Sequence, residues 1–353
     1  MELHFEKQLC LGSGIPFLFL LFLITLPNGF ILMVLYKNPL RCFRRSFSVF
    51  LAFLCAIDFF VGLVVCSGEA LTRFLCFFGY RSIPREGDIV TILDYFGINS
   101  SILLVTSMSV DRFIAVLFPH TYRRKLKPKT TIIINTCIVT FSLIFALLQL
   151  SSISVKVYRT IDLHLHTTFS LSTTAVAYLG IFFSVKKQSR SFSEKQKAMP
   201  SNTTLNDIRR ERKAKMERKL AVTSFFILLV LILSLIPYFA VILVDIYCES
   251  CGKKNWFLAL KESCIVFLFV NSVANPFLAT FRISELKKSC RIACGFSLRK
   301  NNEATANFIN LTDFSSRPMP GGRVEQSGGL LMLNVKCEAV TLKNIRRLSN
   351  LPG

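Results

Sequence analysis

Apolar runs too long for a soluble core decide what this chain can fold into. A helix needs about 20 residues to cross a hydrocarbon layer of roughly 30 Å. Seven stretches meet that length, near 15–36, 47–67, 89–117, 131–152, 163–185, 220–246 and 259–281. Inside lipid no water satisfies the amides, so each run must close its backbone hydrogen bonds internally, as a helix does. With 52% hydrophobic residues, 34 phenylalanines and a mean hydropathy of +0.49, the chain reads as an all-α membrane protein, a seven-transmembrane helix bundle.

The fifth run is diluted by Thr167, Thr168, Ser170, Ser172, Thr173 and Thr174, hydroxyl side chains that can bond back to their own helix. The first is too long for a signal-peptide core, and Glu2 and Glu6 oppose the basic flank such a peptide wants, so it is kept as a crossing.

A net charge of +22 would suit nucleic acid if it were spread over a soluble surface, but its placement excludes that partner. Lys37, Arg41, Arg44 and Arg45 follow the first run, and Arg123, Arg124, Lys125, Lys127 and Lys129 follow the third. Arg209, Arg210, Arg212, Lys213, Lys215, Arg218 and Lys219 precede the sixth. All fall on one side, which the positive-inside bias makes cytosolic, facing anionic membrane lipid. The organisation that follows is an extracellular N-terminal arm over 1–14, a membrane domain over 15–281, a surface helix over 282–294 and a disordered cytoplasmic tail over 295–353. The surface helix has amphipathic spacing and carries Cys290 and Cys294, placed for palmitoylation. The longest connection, Lys186 to Lys219, reads as a polar loop leading into an inner extension of the sixth helix.

Several polar residues interrupt the runs at costly places. Asp111-Arg112-Phe113 ends the third, followed by Leu117-Phe118-Pro119-His120-Thr121-Tyr122; Asn28 lies in the first, Asp58 in the second, Pro237 in the sixth and Asn275-Pro276 in the seventh. An ionisable group at such depth must be paired, hydrated or protonated. In this order the motifs resemble the rhodopsin-like (class A) family of G-protein-coupled receptors over about 15–295.

The resemblance implies a signalling receptor of the plasma membrane, with an extracellular ligand, a heterotrimeric G protein, arrestin, receptor kinases and membrane lipids as partners. It implies no cofactor beyond an allosteric sodium ion. Asp58, Ser101, Asn271, Ser272 and Asn275 match the family's sodium positions, the alternative being an ion-free polar core. Arg112 would face Glu217 across the inner mouth as a resting latch, or Glu217 is one charge on a solvated face. Tyr178 matches the tyrosine that supports the released arginine.

Asp94 lies eighteen residues before Arg112, about 27 Å along a helix, where amine receptors of the family hold the ligand's ammonium. The other reading makes it a buried residue bonded to the seventh helix. Tyr238 and Phe239 could wall the same pocket, and Glu69 and Asp88 add negative potential, which points to an amine or a basic peptide.

Departures from the family pattern are equally specific. Gly87 stands where a disulfide cysteine is usual, and no cysteine occurs from Ser151 to His166. Ser170 replaces a proline, Leu235 the tryptophan switch and Ala279 the tyrosine after Asn275-Pro276. Short outer loops without the usual disulfide and proline resemble the melanocortin, cannabinoid and lysophospholipid branch. Cys10, Cys248, Cys251 and Cys264 lie on the oxidising side as disulfide candidates. Phe269 excludes the opsin lysine.

A lipid-sensing or constitutively active receptor is the alternative within the fold. A transporter or channel using Asp58 and Asp94 is the alternative outside it, though no internal repeat supports one. No nucleophile, base and orienter converge, so no enzyme is expected. The sequons at Asn202 and Asn310 fall on the cytosolic side and should stay bare. Glycosidase treatment of the expressed protein should leave its gel mobility unchanged at both, and a glycan at either would reverse the orientation.

Overall fold

The computed structural model describes residues 2–38, 46–80, 87–118, 122, 127–197, 229–230, 232–248, 250–252, 254–282 and 284–294. Among them the chain is helical throughout, with no strand. The first crossing is α1 (Glu2–Lys37). The second is α2 (Ser46–Phe60), a π-helical turn at Val61–Val65, and α3 (Cys66–Phe77). The third is α4 (Ile89–Leu117), and the fourth is α5 (Pro128–Leu147) with a 3₁₀ turn at Leu148–Leu150. The fifth joins α6 (Val155–Asp162), a second π segment at Leu163–Thr168 and α7 (Phe169–Lys197). The sixth is described as α8 (Ile232–Tyr247). The seventh is α9 (Asn255–Leu268) and α10 (Val270–Arg282), and α11 (Ser284–Ala293) follows.

Several expected boundaries are corrected. The arm expected over 1–14 is the first turns of α1, so the first crossing begins far earlier than residue 15. The second runs on to Phe77 and the fifth starts at Val155. The segment from Lys186, expected as loop, is helical to Lys197, where Ser189, Ser191 and Ser193 stand among helix-tolerant Lys, Gln, Arg and Glu. The tail and the residues around Glu217 lie outside the described residues.

Apolar faces of six crossings meet around α4, which packs on α2, α5 and α7. The core joins Phe17, Leu54, Val61, Ile102, Leu104, Val105, Leu235 and Phe269, with Phe17 and Phe269 edge to face at 5.1 Å. Outward-facing Phe19, Phe22, Leu26, Ile133, Val176 and Phe183 are exposed, as lipid-facing residues must be. Close approach is set by glycine: a Cβ at Gly62 in the first π segment would strike the backbone of Thr25, and one at Gly97 would strike Val61. Where the family's disulfide would pin the third crossing, Gly87 takes φ +89°, a left-handed turn that suits glycine, and its amide donates to Gln149 Oε1 at 3.3 Å.

A different covalent clamp takes over. Cys10 on α1 is bonded to Cys76 on α3, both nearly fully buried. It ties the first turns of α1 to the end of the second crossing, which is why residues expected as a free arm stay helical. Cys10→Ser and Cys76→Ser should each cost about 2–4 kcal/mol of stability. The double variant should cost no more than either alone in thermal unfolding, because both remove the same bond.

Candidate functional site

Asp58 is fully buried in the second crossing and is answered from two other helices. Ser101 Oγ and Ser272 Oγ donate to its Oδ1 at 2.8 and 2.7 Å, and Asn275 Nδ2 donates to its Oδ2 at 2.8 Å. The backbone explains why Asn28 belongs here too. Pro276 has no N–H to give to the carbonyl four residues earlier, Ser272. That carbonyl accepts instead from Asn28 Nδ2 at 3.3 Å, while the same amide group reaches Ile24 O at 2.9 Å. Asn271 is buried beside this group. The residues fit a small hard cation, since the set is a carboxylate with hydroxyl and amide oxygens. Buried Asn28 Oδ1 also has no hydrogen-bond partner among the described residues. An ion would require the two serine protons to turn away from Asp58.

One end of the bundle, opposite Arg112, opens into a cavity of about 330 Å³. At its base Arg73, almost fully buried, gathers three helices. Its Nη1 pairs with Glu69 one turn earlier, its Nη2 donates to Glu262 Oε2 at 2.8 Å, and its Nε donates to Ser13 Oγ at 3.0 Å. The guanidinium also lies 4.6 Å above the Phe17 ring. Glu69 lines the cavity beside Arg73, and one guanidinium shared by two carboxylates leaves the group with a negative balance.

Asp94 lines the cavity from α4, and its buried Oδ1 has no hydrogen-bond partner among the described residues. No bond joins it to the seventh crossing among those residues. Tyr238 also lines the cavity. Phe239 does not: it packs with Leu163, Ile242 and Ile246, so it is corrected to a core residue. Asp88 is corrected as well, being the residue before α4 rather than a cavity residue.

A second acid went unread in the sequence. Asp162 lines the cavity, with Oδ1 accepting from Asn99 Nδ2 at 2.7 Å and lying 2.9 Å from His166 Nδ1. His166 is fully enclosed, its ring edge-on to Phe145 at 4.8 Å. The i,i+4 spacing of Asp162 and His166 was visible, as was that of Glu69 and Arg73. What could not be read is the π segment that follows Asp162, which winds the fifth crossing wide just before Ser170, the usual proline position.

At the opposite end Arg112 Nη2 donates to neighbouring Asp111 Oδ2 at 2.7 Å. Tyr122 donates its hydroxyl to the same oxygen at 3.3 Å. Burial first of all pushes the Tyr122 phenol up to about 12, with Arg112 lowering it and Asp111 raising it, so it stays a donor. Glu217, the expected partner of Arg112, lies outside the described residues. Tyr178 accepts from Ser109 Oγ at 3.1 Å, one turn before Arg112, and the Phe113 ring fills the space beside Gly180. Pro237 lies within α8. Leu235 and Ala279, at the departed switch positions, are buried apolar residues.

Of the disulfide candidates, Cys10 pairs with Cys76, which sequence reasoning missed, and Cys248 with Cys251. Cys264 is corrected: it is a buried free thiol packed with Val241 and Phe257. On α11, burial and then neighbouring Cys294 raise the Cys290 thiol, whereas Cys294 is exposed and better presented for acylation.

The arrangement predicts a large asymmetry around Arg73. Arg73→Met strands two buried carboxylates and should cost about 3–5 kcal/mol. Adding Glu69→Gln and Glu262→Gln should recover much of that loss in a thermal unfolding series.

Comparison with known proteins agrees with this geometry. Residues 27–278 match the family described as 7 transmembrane receptor (rhodopsin family). The chain is 22% identical over 265 residues to the thyrotropin-releasing hormone receptors of Homo sapiens and Mus musculus, covering 64% of this chain. It spans 64% and 65% of the lengths of those two relatives. A family match running from the Asn28 turn of the first crossing through Asn275-Pro276 of the seventh leaves one conclusion: the chain belongs to the rhodopsin family of seven-transmembrane receptors.

Proposed function

We propose that this protein binds an extracellular ligand carrying a positive charge in the cavity beside Asp94, and passes the signal to a heterotrimeric G protein at the Arg112 end. The observation that carries the reading is the buried, unanswered Asp94 Oδ1 on the cavity wall. A carboxylate oxygen enclosed without a donor is costly, and a ligand ammonium would supply one. Glu69 and Glu262 share the one Arg73 guanidinium, which leaves negative charge beside Asp94 that adds to the attraction for a cation.

The basic clusters flanking the runs support a cytosolic Arg112 end, an outward cavity and a plasma-membrane setting. Similarity to receptors named for a releasing hormone supports an extracellular messenger as ligand class. The cavity volume is at the lower end for ligand sites, which favours an amine or a peptide terminus over a large peptide body. The oxygen-rich group around Asp58 supports a sodium ion that stabilises the resting state. Arrestin, receptor kinases and inner-leaflet lipid complete the set of partners, and no catalytic chemistry is assigned.

A screen of amines, peptides and lipids in cells tests this. Asp94→Asn should lower the potency of a cationic class by about 10- to 100-fold, a loss of roughly 1.5–3 kcal/mol, while cell-surface level holds. Arg112→Ala should abolish the G-protein response with binding retained. Unchanged potency in Asp94→Asn would remove the cation reading, and unchanged signalling in Arg112→Ala would remove the coupling role.

A further inference from the structure

We propose that the cavity contains an anion subsite formed by Arg159 and Lys261, so that the ligand is a small amphoteric molecule with an ammonium and a carboxylate. The inference rests on the reading of Asp94 as the cation partner and adds the opposite pole.

The geometry begins with Asp245 on α8. Its Oδ2 accepts from Arg159 Nη1 and from Lys261 Nζ, each at 2.7 Å. One carboxylate thus faces two cations, one from the fifth crossing and one from the seventh. Arg159 and Lys261 line the cavity, whereas Asp245 does not. The cations therefore stand between their shared acid and the ligand space. Lys156, over the Tyr247 ring at 5.9 Å, adds further positive charge at the same end.

The other wall is oppositely charged. Arg73 answers Glu69 and Glu262 but leaves Asp94 Oδ1 without a donor among the described residues. The cavity presents Asp94 from the third crossing and Arg159 and Lys261 from the fifth and seventh, where Asp162 and Glu262 also line it but are already held by Asn99 and His166 and by Arg73. It matches a molecule polarised in the reverse sense, whose carboxylate would take charge-assisted bonds from the guanidinium and the ammonium.

The subsite also bears on motion. Asp245 is bonded to both flanking crossings, so it ties the sixth to the fifth and the seventh. A ligand carboxylate competes with Asp245 for the same two cations and loosens those ties. Differential binding of this kind shifts a helix equilibrium.

The full-length receptor, purified into lipid nanodiscs, is the material for the test. The probes are ω-amino acids with two to seven methylenes, each paired with the alkylamine of equal length, and affinity is read from the thermal-stability shift. The best-fitting amino acid should bind about tenfold more tightly than its amine. Lys261→Gln and Arg159→Gln should each erase that advantage and leave amine affinity in place. Asp245→Asn should enlarge the advantage, an increase that a merely structural role would not produce. Equal affinity of amino acid and amine in the wild type, with both lost in Asp94→Asn, overturns the anion subsite and leaves the cation reading standing. Probes that bind equally well to wild type and Asp94→Asn, or no probe binding to either, overturn the cation reading and this inference with it.

Discussion

A carboxylate placed below the membrane surface must be answered by a donor or a cation, and most of this bundle's interior follows from how each one is answered. Asp58 takes two hydroxyls and an amide, which hold the second crossing to the third and the seventh. Glu69 and Glu262 take Arg73, which closes the first, second and seventh around one guanidinium. Asp162 takes Asn99 and His166, locking the third to the fifth. Apart from the i,i+4 pairs Glu69–Arg73 and Asp162–His166, these bonds cross between helices whose lipid-facing sides gain nothing from association, since lipid is as apolar as the side chains themselves. Polar ties and glycine contacts therefore set which helices meet and at what depth. Asp94 Oδ1, on the cavity wall, is one of the buried oxygens without a hydrogen-bond partner among the described residues.

The third crossing takes part in the Asp58 and Asp162 ties but not in that of Arg73. Along α4, Asn99 reaches the fifth crossing, Ser101 the second, Thr106 the fifth through Thr174 at 3.5 Å, and Ser109 the fifth again through Tyr178. Asp111 then meets Tyr122 beyond the helix end. A helix carrying so many short polar side chains would be a poor membrane span alone. Here their partners come from neighbours packed at glycine and serine positions, so the polarity is internal and the lipid sees little of it.

Sequence reading recovered what depends on composition and spacing along one helix. The apolar runs, the acid at Asp58 with Ser101, Ser272 and Asn275, and the Asp111-Arg112 pair were all legible because each sits where a charge or a proline interrupts an apolar pattern. The rest depends on which helix end lies beside which. Nothing along its own helix ties Arg73 to Glu262, 189 positions away, which lies against it. Cys10 was visible as an oxidisable cysteine, but no spacing in the sequence pairs it with Cys76. The π segments leave no compositional mark, yet the second one helps decide where Asp162 and His166 point. Asp88 and Phe239 were misplaced because proximity to a helix end says nothing of which face meets the cavity.

The depth order along α4 has a mechanical consequence. Asp94, Ser101 and Arg112 follow one another on a single helix, about 10 Å and then about 16 Å apart by helical rise. The cavity floor and the Asp58 group thus lie closer together than the Asp58 group and the Arg112 end. Pro276 frees the Ser272 carbonyl just at the level of Asp58, and the seventh crossing tightens there, with Ser272 N bonding Phe269 O at 3.1 Å. This is the place where the helix is least held by its own backbone and most held by side chains, Asn28 and Asp58 among them. A joint held by side chains where backbone bonds are missing is a place where two arrangements of packed helices can differ. The missing tryptophan and tyrosine switches, filled by buried Leu235 and Ala279, do not remove that property. With apolar side chains at those positions, the polar ties around Asp58 join the second, third and seventh crossings at mid-bundle.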